Sequence, residues 1–387
     1  MRRSSGIRLL WLNRPRPTSL DRMSLPPLVE PVDALSDAER IRTARHRSLI
    51  PLGELGQRRL RAAHVAIMGA GGLGSPVVLA LAAAGVGTLT VIDDDDVELT
   101  NLQRQIVHRM SDVGRPKVDS AVRAAADLSP ETVVVPVREH LTRENGVELL
   151  RGADLVIDGT DTFETREAVA AATEALGVPL VWGTVQSFDA QVTVFWSQPP
   201  AGAAPVRLSD VYPPGSVGEL PTCAMVGVLG ALCMQVGSLL AIEAVKLITG
   251  IGEPLLGRML VIDGLRGRQS EVAIRAATAT ANTAPAATPA LAAPIPHVDA
   301  IPAGALVVDV REPHETALGT IPGARLIPLA GLLEDPGSLR GSPPVVVVCQ
   351  AGVRARRAAQ ALREAGVEAS VLAGGMDAWT SLERSTA

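Results

Sequence analysis

The segment from His64 to Lys117 decides the fold of the first half of the chain. A short apolar run leads into Gly69-Ala-Gly-Gly-Leu-Gly74, and a second apolar run ends at Asp93. In a dinucleotide fold such glycines allow a tight strand-to-helix turn, a close approach of backbone to phosphate, and close packing of helix on strand. Free amides at the N-terminus of the next helix favour a bound anion. The segment therefore predicts a nucleotide-binding strand–helix–strand unit.

The charged residues after the glycines indicate which nucleotide is bound. Asp93 follows Gly74 at about the 20-residue distance from which a carboxylate accepts hydrogen bonds from ribose hydroxyls. Arg104 and Lys117 then occur on loop-like sequence. Two cations suit a triphosphate whose charge must be neutralised as it is cleaved. The pattern favours ATP over NAD, although the glycines alone would also suit an NAD(P)-binding oxidoreductase.

Composition excludes several classes of protein. The 387 residues are 47% hydrophobic, enough to bury a substantial core in about two or three domains. A net charge of −5 and 2% aromatic residues argue against a nucleic-acid surface. Three cysteines, Cys223, Cys233 and Cys349, are too few for a disulfide scaffold and fit a reducing cytoplasm. We therefore expect a cytoplasmic globular protein.

The order of patterns along the chain predicts its domains. Strand-like runs alternate with helical patterns between residues 64 and 195, which is typical of a Rossmann-like α/β fold, a parallel sheet with helices on both faces. The apolar stretch 223–242 is interpreted as a buried helix pair rather than a membrane span. The expected parts are a disordered extension (1–35), a nucleotide-binding domain (36–275), an Ala/Thr/Pro linker (276–296) and a second, small α/β domain (297–387).

Motifs in a fixed order give the first domain a family resemblance. They are Gly69–Gly74, Asp93–Asp96, Asn101-Leu-Gln-Arg-Gln105, Asp112-Val-Gly-Arg-Pro-Lys117, Asp158-Gly-Thr-Asp161, Thr222-Cys-Ala224 and Glu243-Ala-Val-Lys246. Residues 36–275 resemble the molybdopterin-synthase adenylyltransferases, relatives of ubiquitin-activating enzymes. The resemblance implies that ATP adenylylates the C-terminal glycine of a ubiquitin-like sulfur carrier protein ending in Gly-Gly, with release of pyrophosphate.

The resemblance also implies a role for each matched residue. Gly71 and Gly72 let the backbone approach the α-phosphate, Asp93 holds the ribose, and Asp161 holds Mg²⁺, a hard cation that prefers carboxylate oxygen. Arg104 and Lys117 stabilise the charge that builds on the phosphates. The implied nucleotide-binding residues are Gly69, Gly71, Gly72, Gly74, Asp93, Asn101, Arg104, Lys117 and Asp161. Alternatively, Asp161 caps the next helix and Lys117 lies on the surface; Asp94, Asp95 and Asp96 are expected to be solvated.

Two further residues are implied by the resemblance. Arg42-Thr-Ala-Arg45 resembles a segment that sends an arginine into the partner subunit's site, which implies a homodimer with Arg45 acting in trans; the alternative is a solvated helix face. Cys223 lies near the carrier tail at the end of a long loop, 198–222, or is a small buried thiol. Cys233 is expected to be structural. Since the relatives' Cys-x-x-Cys pairs are absent here, no zinc is expected.

A second site is indicated by Val345-Val-Val-Val-Cys349-Gln-Ala-Gly-Val-Arg354. It places a cysteine between a strand and a helix, where loop amides and the helix dipole favour a thiolate. With Asp309-Val-Arg-Glu-Pro313 and Gly374-Gly-Met-Asp-Ala-Trp379, residues 297–382 resemble a rhodanese sulfurtransferase. The resemblance implies that Cys349 carries a persulfide stabilised by Arg354 and the loop amides. Asp309 would orient the loop, with a pairing to Arg354 as one route.

Together the two sites predict a reaction sequence. The Cys349 persulfide attacks the carrier adenylate, directly or through Cys223, to give a thiocarboxylate for molybdenum-cofactor synthesis or a related pathway. The sulfur donor would be a cysteine desulfurase or thiosulfate. The alternatives are an NAD(P)-binding oxidoreductase fused to a sulfurtransferase, and a scaffold that docks carriers without catalysis.

Overall fold

The computed structural model describes residues 25–213, 227–274 and 295–379, apart from 299, 303, 318, 351 and 377 and the side chains of 314 and 353. Contacts between Cα atoms divide the chain into two units, Met1–Ala279 and Thr280–Ala387. Each unit is an α/β structure with its own sheet. Cys223 and most of the expected linker lie outside the described residues.

The first unit contains an eight-stranded sheet. Its strands are β1 (His64–Met68), β2 (Thr88–Ile92), β3 (Val133–Val137), β4 (Leu155–Asp158), β5 (Leu180–Gln186), β6 (Asp189–Phe195), β7 (Arg258–Asp263) and β8 (Arg268–Ala273). Their order is β3-β2-β1-β4-β5-β6-β7-β8, and the first five are parallel. This confirms the predicted Rossmann-like fold.

The last three strands run antiparallel, which the alternating pattern did not predict. Only Ser187 and Phe188 join β5 to β6, and Ser187 has a φ of 53°. So short a connection can only form a hairpin, because parallel neighbours need a crossover of a dozen or more residues. The sheet is therefore parallel on the side that carries the glycine loop and antiparallel on the other.

Helices cover both faces of this sheet. They are α1 (Asp37–Arg42), α2 (Ala44–Arg47), α3 (Gly53–Ala62), α4 (Gly74–Ala84), α5 (Lys117–Leu128), α6 (Gly146–Leu149), α7 (Phe163–Leu176), α8 (Leu208–Val211) and α9 (Gly230–Thr249). Alternate side chains of β1 enter two cores: Val65 and Ile67 face α4, α5 and α9, whereas Ala66 and Met68 pack with residues of α7. The two-residue period of a strand produces this division.

Within the described residues 227–249, the stretch expected to form a helix pair contains one continuous helix, α9; residues 223–226 lie outside the described part of the chain. Helix α9 is long and apolar enough to span a membrane, but 56% of its most apolar window is buried. Val236, Leu240 and Ala244 belong to the core that α4 and the sheet share. Burial inside the unit accounts for the apolar composition of this helix.

The expected disordered extension is ordered in its last part. Leu25 and Leu35 are buried. The Leu28 amide donates to the carbonyl of Leu247 at 3.1 Å, and the Val32 amide donates to the carbonyl of Arg58 at 3.2 Å. Residues 25–35 therefore pack on α3 and α9, contrary to the expectation for 1–35; residues 1–24 lie outside the described residues.

The second unit contains a five-stranded parallel sheet. Its elements are β9 (His297–Val298), β10 (Leu306–Asp309), α10 (Pro313–Thr316), β11 (Arg325–Leu326), α11 (Leu329–Glu334), β12 (Val345–Val348), α12 (Val353–Glu364) and β13 (Ala369–Leu372). The strand order is β11-β10-β12-β13-β9. Val345 and Val347 face the core formed with α12, and Val346 and Val348 face the opposite one.

Candidate active sites

The glycine loop joins β1 to α4 at the carboxyl edge of the sheet. Gly69 has a φ of +83°, which side chains rarely allow, and a Cβ on Gly74 would lie 1.8 Å from the carbonyl oxygen of Gly69. No larger residue fits at Gly74 without moving the backbone. These two glycines fix the turn that brings Gly71 and Gly72 to the wall of a cavity.

A cavity of about 530 Å³ opens where β1, β2 and β4 end. In open α/β sheets such a crevice at the carboxyl ends of the strands is where ligands bind. Eight of the nine predicted nucleotide-binding residues line it: Gly69, Gly71, Gly72, Asp93, Asn101, Arg104, Lys117 and Asp161. Gly74 is buried at the start of α4 and shapes the loop instead. The structure thus brings the predicted residues together, while their individual roles stay predictions.

Asp93 and Lys117 form a buried charged group beside the glycine loop. One oxygen of Asp93 accepts a hydrogen bond from the Ala70 amide at 2.7 Å, and the other accepts from the Asp95 amide at 3.0 Å. Lys117 Nζ donates to Asp95 at 2.6 Å and lies 3.9 Å from Asp93. Burial raises the pKa of Asp93, and the Lys117 cation opposes that shift. Asp95 is exposed, as expected, and its carboxylate also pairs with Lys117.

Arg104 keeps its charge available. Its Nη1 donates to the Thr100 carbonyl at 3.2 Å. Across the ranges that the structure describes, no carboxylate lies within ion-pair distance of its guanidinium. Asn101 stabilises this turn, since its side-chain oxygen accepts from the Glu98 amide at 3.0 Å. The turn thus presents an uncompensated cation to the cavity.

Asp161 is an exposed carboxylate at the mouth of the cavity. The alternative that it caps α7 is wrong, because Thr162 is the N-cap and its hydroxyl accepts from the Thr165 amide at 3.3 Å. Asp158, behind it, is fully buried, and its burial raises its pKa. Asp158 accepts two hydrogen bonds from Thr160 and so holds the loop that carries Asp161. A carboxylate in this position has the chemistry of a Mg²⁺ ligand.

Three residues at the cavity wall or behind it were not assigned a role from the sequence. Gln105, in the Asn101–Gln105 motif, lines the cavity, and its amide nitrogen would lie 3.6 Å from a Cβ on Gly71. Behind it, Nε2 of His108 lies 3.1 Å from the side-chain oxygen of Gln105. Burial and the Lys117 cation lower the pKa of His108 to about 4, so its ring is neutral at pH 7. Arg166 also lines the cavity and stacks 5.6 Å from the Trp182 ring.

Neutral His108 orients the Gln105 amide. The side-chain oxygen of Gln105 can only accept, so the Nε2 atom of His108 must donate. The amide nitrogen of Gln105 is then directed to the cavity side, next to Gly71. In the sequence, Gln105 is marked out only as part of the Asn-Leu-Gln-Arg-Gln motif. No neighbouring residue predicts that His108 is buried.

The arginines around Arg45 differ in their contacts. Arg40 and Arg47 both pair with Glu54, at 3.0 and 2.6 Å. Arg42 donates to the carbonyl of Ala83 at 2.6 Å, at the end of α4. Arg45 is exposed and, within the described part of the chain, makes no side-chain hydrogen bond or ion pair. Of the four, Arg45 is therefore the one whose guanidinium is left for a partner.

Two cysteines of the first unit were considered for function. Cys223 lies outside the described residues. Cys233 is buried on α9 and forms no disulfide. Its Sγ would lie 3.2 Å from a Cβ on Gly72, so it also forms part of the cavity wall. Packing against the glycine loop agrees with the structural role expected of it.

An aromatic cluster holds the chain just before residues 214–226. The Tyr212 ring lies 5.7 Å from Phe163 and 5.8 Å from Trp182, and its hydroxyl donates to Gln191 at 2.5 Å. Phe163 begins the helix that follows Asp161. Tyr212, within the loop predicted at 198–222, therefore contacts the helix that follows Asp161.

Cys349 lies between β12 and α12 and is buried. Its Sγ accepts hydrogen bonds from the amides of Gly352 at 3.1 Å and Ala355 at 3.4 Å. These donors favour a thiolate or a terminal persulfide anion at this position. The predicted cradle of amides is present in the described part of the loop.

The predicted pairing of Asp309 with Arg354 is wrong. Asp309 instead holds Arg311, whose guanidinium contacts both of its oxygens at 2.7 to 3.1 Å. Thr320 donates to the same carboxylate at 3.3 Å. Arg354 pairs with Glu315 through two hydrogen bonds of 2.6 Å. Arg311 lies within the Asp309 motif and Glu315 follows it by two residues, and spacing alone could not show which of these residues pairs with which.

Both units of the chain match families of known proteins. Residues 43–283 match the ThiF family, and residues 297–382 match the Rhodanese-like domain. The chain is 41% identical to the probable adenylyltransferase/sulfurtransferase MoeZ of Mycobacterium tuberculosis, over 92% of this chain and 96% of that protein. It is 42% identical to the sulfur carrier protein adenylyltransferase of Thermus thermophilus, over 59% of this chain and 86% of that protein.

A solved structure shares the fold of the first unit. The crystal structure of E. coli MccB with MccA-N7isoASN is 22% identical, has a TM-score of 0.53, and covers 62% of this chain and 72% of its own. The chain therefore belongs to the ThiF family, carries a C-terminal Rhodanese-like domain, and is an ATP-using adenylyltransferase and a sulfurtransferase.

Proposed function

We propose that this enzyme adenylylates the C-terminal glycine of a ubiquitin-like sulfur carrier protein ending in Gly-Gly and then converts it to a thiocarboxylate. Support comes from the similarity to a protein named sulfur carrier protein adenylyltransferase and to MoeZ, which carries both activities in its name. The product would serve molybdenum-cofactor synthesis or a related sulfur-transfer pathway in the cytoplasm. An oxidoreductase is not favoured, because the ThiF match covers the whole glycine-loop unit.

In the first step the carrier carboxylate attacks the α-phosphorus of ATP and pyrophosphate leaves. The carboxylate is ionised at neutral pH, so no general base is required. Arg104 and Lys117 stabilise the charge that grows on the phosphates, and Asp93 accepts from the ribose. Arg104 lines the cavity without a counter-ion in the described residues, and this supports such a role.

Mg²⁺ is the metal that fits Asp161. Its carboxylate is exposed, lines the cavity, and is free of the capping contact considered for it. Hard cations prefer such oxygen ligands. Bound there, Mg²⁺ would neutralise phosphate charge. No zinc is proposed, since the chain has only three cysteines and none of them forms a Cys-x-x-Cys pair.

A homodimer would complete this site with Arg45. Apolar side chains around Arg45 are unusually exposed: Ile41 by 78%, Leu49 by 55% and Ile50 by 88%. Near the cavity, Leu99 and Met110 are exposed by 62% and 70%. Exposed apolar patches of this kind mark interfaces. A second copy that covers both patches would bring Arg45 to the phosphates of its partner.

Sulfur transfer would use Cys349. The outer sulfur of its persulfide attacks the acyl carbon of the adenylate and AMP leaves, which gives an acyl disulfide. A thiol then cleaves the S–S bond and the thiocarboxylate is released. Cys223 is proposed either as this thiol or as a carrier of the acyl group before Cys349. A cysteine desulfurase or thiosulfate supplies the sulfur.

The observation that carries the proposal is the cavity in which Arg104, Lys117 and Asp161 meet the glycine loop. Its test is the exchange of labelled pyrophosphate into ATP, with full-length protein, Mg²⁺ and a purified carrier. Exchange should require the carrier and should be lost in Asp161→Asn. The control, Asp127→Asn, changes a carboxylate that pairs with Arg109 away from the cavity and should leave exchange intact. Exchange absent from the wild type would favour the non-catalytic scaffold.

A further inference from the structure

Arg354 is the only charged residue in the segment Cys349–Arg354. Its guanidinium is already paired with a carboxylate of the second unit. Its Nη1 and Nη2 donate to the two oxygens of Glu315, each at 2.6 Å. Bidentate pairs of this kind are strong and geometrically specific. Hydrogen bonding to Glu315 raises the pKa of Arg354, and the guanidinium, always charged in proteins, is held by that carboxylate. An anion that needs Arg354 must therefore displace Glu315.

A second arginine beside this loop, Arg311, also donates its hydrogen bonds to groups of the protein itself. Arg311 is buried and bound to Asp309, and it donates to the Gly319 carbonyl at 2.7 Å. Its Nη1 donates to the Gln350 side-chain oxygen at 3.2 Å, which fixes the residue next to Cys349. Arg311 thus stabilises the conformation of the loop and is not available to an incoming anion.

Neither arginine offers an unpaired positive charge to an incoming anion. Arg311 is matched by Asp309, and Arg354 is matched by Glu315. A Cys349 thiolate is itself negative, and like charges disfavour binding in proportion to the charge of the ligand. A dianion is penalised more than a donor of lower charge.

We propose that Glu315 makes this domain select a cysteine persulfide, as borne by a desulfurase, over thiosulfate as sulfur donor. This rests on the proposed function and chooses between the two donors it leaves open. The Cys349 thiolate attacks the outer sulfur of R–S–S–H. The S–S bond breaks, its electron pair leaves with the inner sulfur as R–S⁻, and Cys349 holds the persulfide, –S–S–H. With thiosulfate the same attack would expel sulfite.

The test compares two donors on the full-length protein, without ATP or carrier. Thiosulfate is used directly, and a cysteine desulfurase with L-cysteine supplies the persulfide; the gain of sulfur on Cys349 is followed by intact mass and by transfer to cyanide. In Glu315→Gln, the KM for thiosulfate should fall about tenfold, the equivalent of about 1.4 kcal/mol. Loading from the desulfurase should change less than about twofold, within the usual effect of a surface substitution.

The matched control is Glu312→Gln. It removes the same charge but leaves the Glu315–Arg354 hydrogen bonds intact, so the thiosulfate KM should change less than about twofold. An unchanged donor preference in Glu315→Gln, or a wild type that uses both donors equally, would overturn the proposal. Because no carrier is present, failure here is distinct from failure of the adenylylation proposal.

A measurement on the wild type keeps the proposal testable if Glu315→Gln does not fold. Salt screens charges over about 8 Å at 0.15 M ionic strength. If the loop repels thiosulfate, the KM for thiosulfate should fall as sodium chloride is added. If instead Arg354 attracts thiosulfate, the KM should rise with salt, and that result would contradict the proposal.

Discussion

The nucleotide cavity and the Cys349 loop use cations in opposite ways. Both lie at the carboxyl ends of parallel strands, beside the start of a helix. In the cavity, Arg104 has no ion-pair partner among the residues the structure describes. At the loop, Arg354 is bound by Glu315 through two hydrogen bonds. The first arrangement suits a highly charged phosphate chain, whereas in the second the positive charge is already matched by a carboxylate. What an arginine can bind depends on whether a carboxylate of the protein already pairs with it, and not only on its presence in the site.

The largest effect is expected from Cys349→Ser. Removing the nucleophile should lower persulfide loading and thiocarboxylate formation by at least about a thousandfold, the scale seen when catalytic nucleophiles are removed. Pyrophosphate exchange should be unchanged, because Cys349 belongs to the other unit. The two assays are run on one preparation. Parallel loss of exchange would show that the two sites do not act separately.

Arg104→Gln should lower the kcat of pyrophosphate exchange about 100- to 1000-fold, the cost of losing one preorganised group that stabilises transition-state charge. Arg115→Gln is the control, because Arg115 is exposed and does not line the cavity. Steady-state exchange rates at saturating ATP measure both variants. Equal losses in the two would mean that net charge, and not the position of Arg104, matters.

His108 should make the first unit sensitive to acid. Its pKa is lowered from 6.5 to about 4 in the folded protein. As the pH falls below 6.5 the unfolded chain takes up a proton and the folded chain does not, so stability is lost down to about pH 4. The loss is on the order of 3 kcal/mol for this shift.

Urea unfolding of wild type and His108→Gln between pH 7 and pH 4 measures this effect. The variant should lose less stability over that range than the wild type. His140→Gln is the control, since it removes an exposed histidine from the same unit. A His108→Gln profile that parallels the wild type would refute the assignment of a buried neutral ring.

The smallest effect is expected from Tyr212→Phe. The variant keeps the ring contacts with Phe163 and Trp182 but loses the hydrogen bond to Gln191. One such bond contributes about 1 kcal/mol to stability. Urea unfolding of the first unit measures it, and Tyr212→Leu, which also removes the ring contacts, should cost more. Equal stability in Tyr212→Phe and wild type would show that the hydroxyl does not anchor this stretch.

Local signals in the sequence were sufficient for the parallel part of the fold and for most of the cavity. The glycine loop and the strand that ends before Asp93 depend on neighbouring residues, and the structure places both where the sequence predicted them. Lys117, expected on loop-like sequence, is instead the first residue of α5. The antiparallel strands β6 to β8 depend on distant pairing, for which no short motif exists. Their position could only be known from the folded chain.

Side-chain pairing was the least predictable feature. Asp309 pairs with Arg311, two residues away in the same motif, whereas the pairing considered from the sequence was with Arg354. The burial of His108 and the position of Cys233 against Gly72 likewise result from packing between separate elements. Residue type and spacing show which charged side chains a site contains. The fold determines which of them are already paired with a side chain of opposite charge.

The most direct test of the account is the intact mass of a purified carrier after incubation with the enzyme, ATP, Mg²⁺ and a desulfurase with cysteine. The account predicts that one carboxylate oxygen of the carrier is replaced by sulfur, and that omission of ATP or the Cys349→Ser change prevents it. A carrier that remains unmodified while the enzyme binds ATP and holds a persulfide would contradict it.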